Sequence, residues 1–411
     1  MITDSAKPSL NASPSSSLPP AFHIMTKPRG AICNLDCKYC YFLKKEAIYP
    51  RSDFRMSEEI LETYTRQYIE TQRVPEVTFA WQGGEPTLTG LEFYQRAVAF
   101  QKKYRKPGMR IHNALQTNGT ILDDEWCRFF KQNNFLIGLS LDGPSEIHNA
   151  YRVDKGGKPT FDKVMVGLAL LIKHQVAFNI LTTVHAANVD HPLEVYRFLR
   201  DEVETQFIQF IPIVERKNQS GFQEGYQVTT RSVTGKKYGR FLTAVFNEWV
   251  RKDVGQVFVQ IFDVALGVWY GQPATLCVFG EICGTALALE HNGDLYSCDH
   301  FVEPDHLLGN IHGRDLLEMV GHQKHIRFGF DKRDTLPRYC QKCDVRFICN
   351  GGCPKNRIRR TPNGEEGLNF LCDGYKAFFT HIDEPMKLMV KLLHKGRPPA
   401  DVMLMVGKEE A

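Results

Sequence analysis

Between Phe22 and Glu215, six short apolar runs alternate with five amphipathic stretches, and no other feature narrows the possible folds as much. The runs are "FHIMTK", "VTFAW", "IHNALQT", "FLIGLSL", "FNILTTV" and "FIQFIPIV". The stretches "SEEILETYTRQYIETQ", "LEFYQRAVAFQKKY", "DDEWCRFFKQN", "FDKVMVGLALLIKHQ" and "LEVYRFLRDEV" repeat apolar residues at i, i+3 and i+4, the period of a helix buried on one face. Ser57 before Glu58 and Glu59, and Asp123 before Asp124 and Glu125, supply N-terminal helix signals. Strict alternation means a parallel sheet with helices outside, and six units are too few for a closed eight-fold barrel. The expected fold class is α/β, an open, partial (β/α)6 barrel whose chemistry gathers at the C-terminal strand ends. "QGGEPT", "QTNGT" and "SLDGP" fall at those ends. Each alone reads as a turn, but three at equivalent positions read as the lining of a site.

Composition excludes several classes. The 411 residues are 43% hydrophobic and 24% charged, an ordinary globular balance, and a formal net charge of +4 is too small to imply nucleic acid or an anionic membrane as partner. No apolar run reaches the length of a membrane span, and the Ser/Pro-rich stretch 1–21 lacks the apolar core of a secretory signal, so a disordered tail and a cytoplasmic location are expected. Twelve cysteines in a chain of this size and compartment point to metal or redox chemistry rather than to disulfides. Cys127, alone in "DDEWCRFFKQ", reads as a small buried hydrophobe.

The other eleven cysteines fall into two groups. "CNLDCKYCYF" holds Cys33, Cys37 and Cys40 in a CxxxCxxC spacing directly after the first strand. Three thiolates can hold three irons of a [4Fe–4S] cube and leave the fourth open to a small molecule; a zinc site completed by a distant His or Cys is the alternative. CxxxCxxC with an aromatic, Tyr39, before the last cysteine, followed by GGEP after the second strand, resembles the radical S-adenosylmethionine enzymes over residues 22–215. The resemblance implies that Cys33, Cys37 and Cys40 ligate a cluster whose open iron takes the amino and carboxylate groups of S-adenosylmethionine. It implies that Gly83, Gly84, Glu85 and Pro86 receive that amino group, and that Tyr39, Ser140 and Arg152 also face the cofactor, Ser140 and Arg152 holding its ribose or carboxylate. Glycines at 83 and 84 are expected where a backbone comes too close to a ligand for Cβ. For Arg152 a solvated charge at a helix edge is the competing reading.

The second group is Cys277, Cys283 and Cys298, then "CQKCDVRFICNGGC" from Cys340 to Cys353, and Cys372. Eight ligands make two sets of four, with glycines in "CNGGCP" that let backbone N–H groups point at sulfur; two structural zinc sites are the alternative. The arrangement resembles the SPASM extension of peptide-modifying radical enzymes, with two auxiliary [4Fe–4S] clusters. By that match Cys277, Cys283, Cys298 and Cys353 hold the first, and Cys340, Cys343, Cys349 and Cys372 the second. The expected whole is a radical-SAM partial barrel at 22–225, a bridging helical segment at 226–275, a cysteine-rich SPASM domain at 276–380, and a C-terminal helix and tail at 381–411.

Asp299 directly follows Cys298 in "GDLYSCDHF", which fixes a carboxylate beside the auxiliary clusters, where it could act as a general base; a turn or cap residue is the competing reading. From "FHIMTKPRG" to the last cysteine the chain resembles the anaerobic sulfatase-maturating enzymes, which oxidise a Cys or Ser of a sulfatase to Cα-formylglycine. That resemblance implies Asp299 as proton acceptor, Gln82 as a contact to the peptide, and an unfolded or nascent sulfatase polypeptide as partner. An electron donor such as ferredoxin or flavodoxin is implied as well. Gln116 and Asn118 of "QTNG" are assigned to substrate binding by their strand-end position; His291 and His300 are candidate proton carriers or structural histidines. Rival readings are a SPASM enzyme that forms a thioether cross-link and a non-catalytic zinc-binding protein.

Overall fold

Period-two burial builds the first layer of the molecule. The computed structural model describes residues 21–406. Strands β1 (His23–Lys27), β2 (Glu76–Trp81), β3 (Arg110–Thr117), β4 (Phe135–Ser140), β5 (Ala177–Val184) and β6 (Phe207–Pro212) lie side by side in sequence order, all parallel. Between them run α1 (Glu58–Thr71), α2 (Leu91–Tyr104), α3 (Asp124–Gln132), α4 (Ser145–Tyr151), α5 (Phe161–Lys173) and α6 (Pro192–Arg197). Ser57 caps α1 by accepting from Ile60 N–H, and Asp123 caps α3 by accepting from Glu125 and Trp126 N–H, as their side-chain oxygens are suited to do. The outward faces bury an aromatic core of Tyr64, Tyr68, Phe79, Trp81, Tyr94 and Phe130, and Cys127 is fully buried beside it.

The sheet does not close. On the far side of β6 lies the two-residue β7 (Phe258–Val259), and on the far side of β1 lies β8 (Ala286–Glu290), parallel to β1 from His23↔Ala286 to Lys27↔Glu290. β9 (Asp294–Tyr296) and β10 (Leu307–Asn310) continue it antiparallel, giving one ten-stranded sheet. The cysteine-rich part of the chain is therefore hydrogen-bonded to the first strand of the barrel, a join that the sequence pattern did not indicate. "ALALE" is buried almost throughout, as a strand covered on both faces must be, and so lacks the alternation that marks a strand in sequence.

Helix α7 (Gly235–Lys252) follows the polar loop after β6, and α8 (Gln260–Trp269) follows β7. α7 lies against the helix Cys372–His381: a Cβ on Gly374 would stand 2.0 Å from the Gly235 carbonyl oxygen, so only glycine lets these backbones approach and seat Cys372. The end of the chain corrects one expectation. "KGRPPADVMLMV", read as tail, forms helical turns at Pro399–Val402 and Met403–Val406, with Val402 fully buried. The tail expected at 1–21 lies, apart from residue 21, outside the described residues, as do residues 407–411.

Candidate active site

The loop after β1 carries Cys33, Cys37 and Cys40, and the GGEP loop after β2 is laid along it. Gly84 N–H donates to the Gly30 carbonyl and Glu85 N–H to the Ile32 carbonyl, both at 2.8 Å. A Cβ at Gly84 would stand 2.0 Å from Ile32 O, and one at Gly83, whose φ is +136°, 2.8 Å from Gly30 O. The two glycines are thus required by the chain's own backbone leading into Cys33. Pro86 opens the short helix Pro86–Thr89.

Glu85 ties a third loop in. Its fully enclosed carboxylate accepts from Thr87 N–H and Oγ1, Thr117 Oγ1 (2.8 Å) and Asn118 N–H (2.8 Å). Burial raises its pKa, and those four donors oppose the rise. Asn118 in turn donates to Asn34 Oδ1 (2.9 Å) and to Cys33 Sγ (3.7 Å), and its Oδ1 accepts from Thr120 N–H and Oγ1. Its amide ties the third loop to the cysteine loop. Gln116 donates to Ser140 Oγ at 3.0 Å, so these two expected site residues do lie together on neighbouring strands.

Beneath the cysteine loop sits a group the sequence reading missed. Asp142 of "SLDGP", 0% exposed, accepts from Arg152 Nε (2.9 Å) and Nη2 (3.1 Å), Tyr39 OH (2.6 Å), and Thr183 N–H (2.9 Å) and Oγ1 (2.7 Å). Burial opposes its ionisation, but Arg152 and His185 hold its pKa well below the ordinary 3.8. α4 brings Arg152 there. The solvated-edge reading of Arg152 is overturned, since the side chain is buried and its Nε and Nη2 form a fork to Asp142. It remains in electrostatic reach of Cys37 and Cys40. Tyr39 likewise spends its hydroxyl on Asp142, with its ring 5.5 Å from the Arg152 guanidinium.

Asp299 completes the site from another direction, because β9 runs against the parallel strands and delivers it from a place the strand-end rule does not reach. Its carboxylate pairs with Lys27 on Oδ1 and accepts the Tyr41 hydroxyl on Oδ2 at 2.6 Å. Burial pushes its pKa up, but Lys27, His300 and the Tyr41 bond outweigh that and hold it at about 2. Lys27 also lies 3.4 Å from Gln82 Oε1 and 4.5 Å from the Phe42 ring centroid. Neither Lys27 nor Tyr41 was singled out from sequence, although the aromatic pair after Cys40 was a signal. His300 stands over the Tyr41 ring, with its pKa lowered to about 3 by burial first and Lys355 second. His291 is structural, bridging Ser52 Oγ (2.5 Å) and Glu290 Oε2 (3.2 Å).

All twelve cysteines are free thiols. Cys33, Cys37 and Cys40 feel one another's charge; Cys277, Cys283, Cys298 and Cys353 form a second set, and Cys340, Cys343, Cys349 and Cys372 line one cavity. Burial drives the Cys33, Cys37, Cys349 and Cys372 thiols to about 12, so as bare thiols they would stay protonated. Yet backbone N–H groups are aimed at sulfur: Leu35 at Cys33 (3.4 Å), Phe42 and Leu43 at Cys40, His300 at Cys298 and Gly351 at Cys349. Donors aimed at buried sulfurs that need added positive charge to ionise fit iron–sulfur clusters.

Comparisons with known proteins agree with this geometry. Residues 28–199 match the family model described as Radical SAM superfamily, and 277–344 match SPASM, an iron–sulfur cluster-binding domain. The protein is thus an iron–sulfur enzyme of the radical S-adenosylmethionine class, with S-adenosylmethionine, one cluster that binds it and two auxiliary clusters as cofactors. A serine-type anaerobic sulfatase-maturating enzyme of Bacteroides thetaiotaomicron is 45% identical over 93% of this chain and 94% of its own length. A cysteine-type enzyme of Clostridium novyi is 33% identical over 87% of this chain and 94% of its own. Among solved structures, native anSMEcpe with bound AdoMet and Cp18Cys peptide superposes with a TM-score of 0.80, at 32% identity, over 90% of this chain and 99% of that one. The chain belongs to the anaerobic sulfatase-maturating enzymes. That membership sets aside the thioether and zinc readings.

Proposed function

We propose that this enzyme oxidises a serine of a sulfatase polypeptide to Cα-formylglycine, with Asp299 as the base. The serine preference rests on the relatives: the serine-type enzyme is 45% identical and the cysteine-type enzyme 33%. The base assignment rests on one observation. The segment Cys40–Tyr41 from the barrel and the segment Cys298–Asp299 from the cysteine-rich region meet through the 2.6 Å hydrogen bond between Tyr41 and Asp299. A carboxylate held there adjoins Cys298 in sequence and reaches the neighbour of Cys40 through Tyr41.

When bound, S-adenosylmethionine at the three-cysteine cluster supplies a carbon radical that takes a hydrogen atom from the target Cβ, and the auxiliary clusters supply a sink for one electron. Asp299, ionised at every working pH, accepts the hydroxyl proton. Hydrogen atom, proton and electron together are the two hydrogens that separate CH2–OH from CH=O. Lys27 and Tyr41 fix the carboxylate's two oxygens, and Gln82, beside Lys27, is placed to hold the peptide backbone or the target side chain. With a cysteine target the same loss gives a thioaldehyde, which water converts to the aldehyde with release of hydrogen sulfide. The polypeptide is taken unfolded or nascent, because the target side chain has to reach an enclosed base. We place the enzyme in the cytoplasm, with ferredoxin or flavodoxin as donor, on the ground that its free thiols and clusters need reducing conditions.

The test is Asp299→Asn, loaded with iron without oxygen and given matched Ser and Cys versions of a sulfatase peptide, S-adenosylmethionine and reductant. Formylglycine should fall by about 10²–10⁴-fold, the range for a general base, while 5′-deoxyadenosine is still released. Unchanged formylglycine would remove Asp299 from the mechanism. A wild-type enzyme that turns over only the Cys peptide would remove the serine assignment.

A further inference from the structure

Two cations lie among the auxiliary cysteines, Lys332 buried and Arg357 half-buried. Lys332, 1% exposed, donates through Nζ to the carbonyls of Cys277 (2.7 Å) and Val278 (3.1 Å). Its own carbonyl accepts from Arg357 Nη1 at 2.6 Å. The same guanidinium donates through Nη2 to Asn350 O (3.0 Å) and through Nε to Gly351 O (3.2 Å). Asn350 and Gly351 lie between Cys349, of the second set, and Cys353, of the first. Arg357 is thus clamped by three carbonyls where the two sets adjoin.

The anionic groups that face these cations are sulfurs. Arg357 is in electrostatic reach of Cys340 and Cys349 from one set and of Cys283 and Cys353 from the other, and Lys332 of Cys283, Cys353 and Cys277 from the first set. No carboxylate among the described residues forms an ion pair with either, and a buried cation without one is costly. A cube held by four thiolates carries net negative charge, so two such cubes would supply what the cations lack. The backbone is shaped for this arrangement: Asn350, Gly351 and Gly352 have φ of 45°, 73° and 61°, and a Cβ at Gly351 would stand 2.8 Å from Arg357 Nη2.

We propose that Arg357, anchored by Lys332, is a shared positioning charge that raises the reduction potentials of both auxiliary clusters together and so fits them to accept the electron released by the substrate. A fixed positive charge favours the reduced, more negative state of each neighbour, and in a site of low dielectric its effect reaches both. The proposal rests on the electron-sink reading above, but its test needs no substrate.

The experiment is an anaerobic potentiometric titration of the fully loaded enzyme, followed by electron paramagnetic resonance, for wild type, Arg357→Met and Arg357→Lys. In R357M both auxiliary midpoints should move negative by at least a tenfold change in the reduction equilibrium, about 59 mV for one electron, while the S-adenosylmethionine-binding cluster stays put. R357K keeps the charge and should keep both midpoints. Unchanged midpoints in R357M, or equal shifts in R357M and R357K, would overturn the proposal, the second because packing rather than charge would be responsible. Should R357M fail to take up iron, R357K decides: full loading with wild-type midpoints supports the charge, and failure to load makes Arg357 a scaffold for three carbonyls. Shifted midpoints with formylglycine yield unaffected would leave the charge in place and remove the electron-sink reading.

Discussion

Arg152→Met strands a carboxylate at the base of the cysteine loop. The Asp142 side chain is 0% exposed and that of Arg152 9%, so solvent screens the pair little. Removing one partner of such a pair costs about 3–5 kcal/mol, most of it from the uncompensated charge left behind. Asp142 would keep Tyr39 OH and the Thr183 N–H and Oγ1 as donors, which puts the expected loss near the lower end, about 3 kcal/mol. The loss should show as a lower urea midpoint for the loaded enzyme, followed anaerobically by tryptophan fluorescence. The double variant D142N/R152M, which removes both charges, should be more stable than R152M alone. The pH dependence has a fixed sign. Asp142 titrates lower folded than unfolded, so its stabilisation is complete above the ordinary 3.8 and disappears as pH falls through the folded value. R152M should therefore lose most against wild type near neutrality and least in acid. A loss under about 1 kcal/mol, or a double variant weaker than R152M, would refute the buried-pair reasoning.

Other consequences can be checked the same way. Lys27→Met removes the largest influence lowering the Asp299 pKa, so the acid limb of kcat/KM, below pH 4 in wild type, should move to higher pH; an unmoved limb would separate Lys27 from the base. Gly84→Ala has to push Cβ into the Ile32 carbonyl, and iron bound at the three-cysteine loop, counted by chemical analysis and electron paramagnetic resonance, should fall while auxiliary iron is retained. Asn118→Ala removes the donor to Cys33 Sγ and Asn34; the S-adenosylmethionine-binding cluster should shift to lower potential, with peptide KM nearly unchanged, whereas a large KM rise would assign Asn118 to substrate binding.

Local patterns carried much of this structure. The six barrel strands β1 to β6 and the caps at Ser57 and Asp123 follow from apolar period and capping chemistry, which act over a few residues. α4 was not legible, since "SEIHNAY" is short and only Ile147 and His148 are buried in it. Glu85 and Asn118 could be found in their motifs, but their tasks could not, because a carboxylate or amide in a loop points to whatever the fold brings near.

The division between sequence and tertiary structure follows from distance along the chain. Eleven cysteines at set spacings mark by themselves a protein that binds metal through thiolates, as iron–sulfur clusters or as zinc, because ligand chemistry needs only residue type and local geometry. The surroundings of Asp299 did not follow from spacing. Tyr41 and Asp299 are 258 residues apart, and Lys27 meets Asp299 only because the non-alternating strand "ALALE" pairs with β1 and folds the cysteine-rich region onto the barrel. The same holds for Asp142: its carboxylate gathers Tyr39, Arg152 and Thr183 from three separate segments. Buried partners then set the charge states: Arg152 and Lys27 hold Asp142 and Asp299 ionised against the cost of burial, while burial alone drives the thiols upward, and both burial and partners belong to the assembled fold.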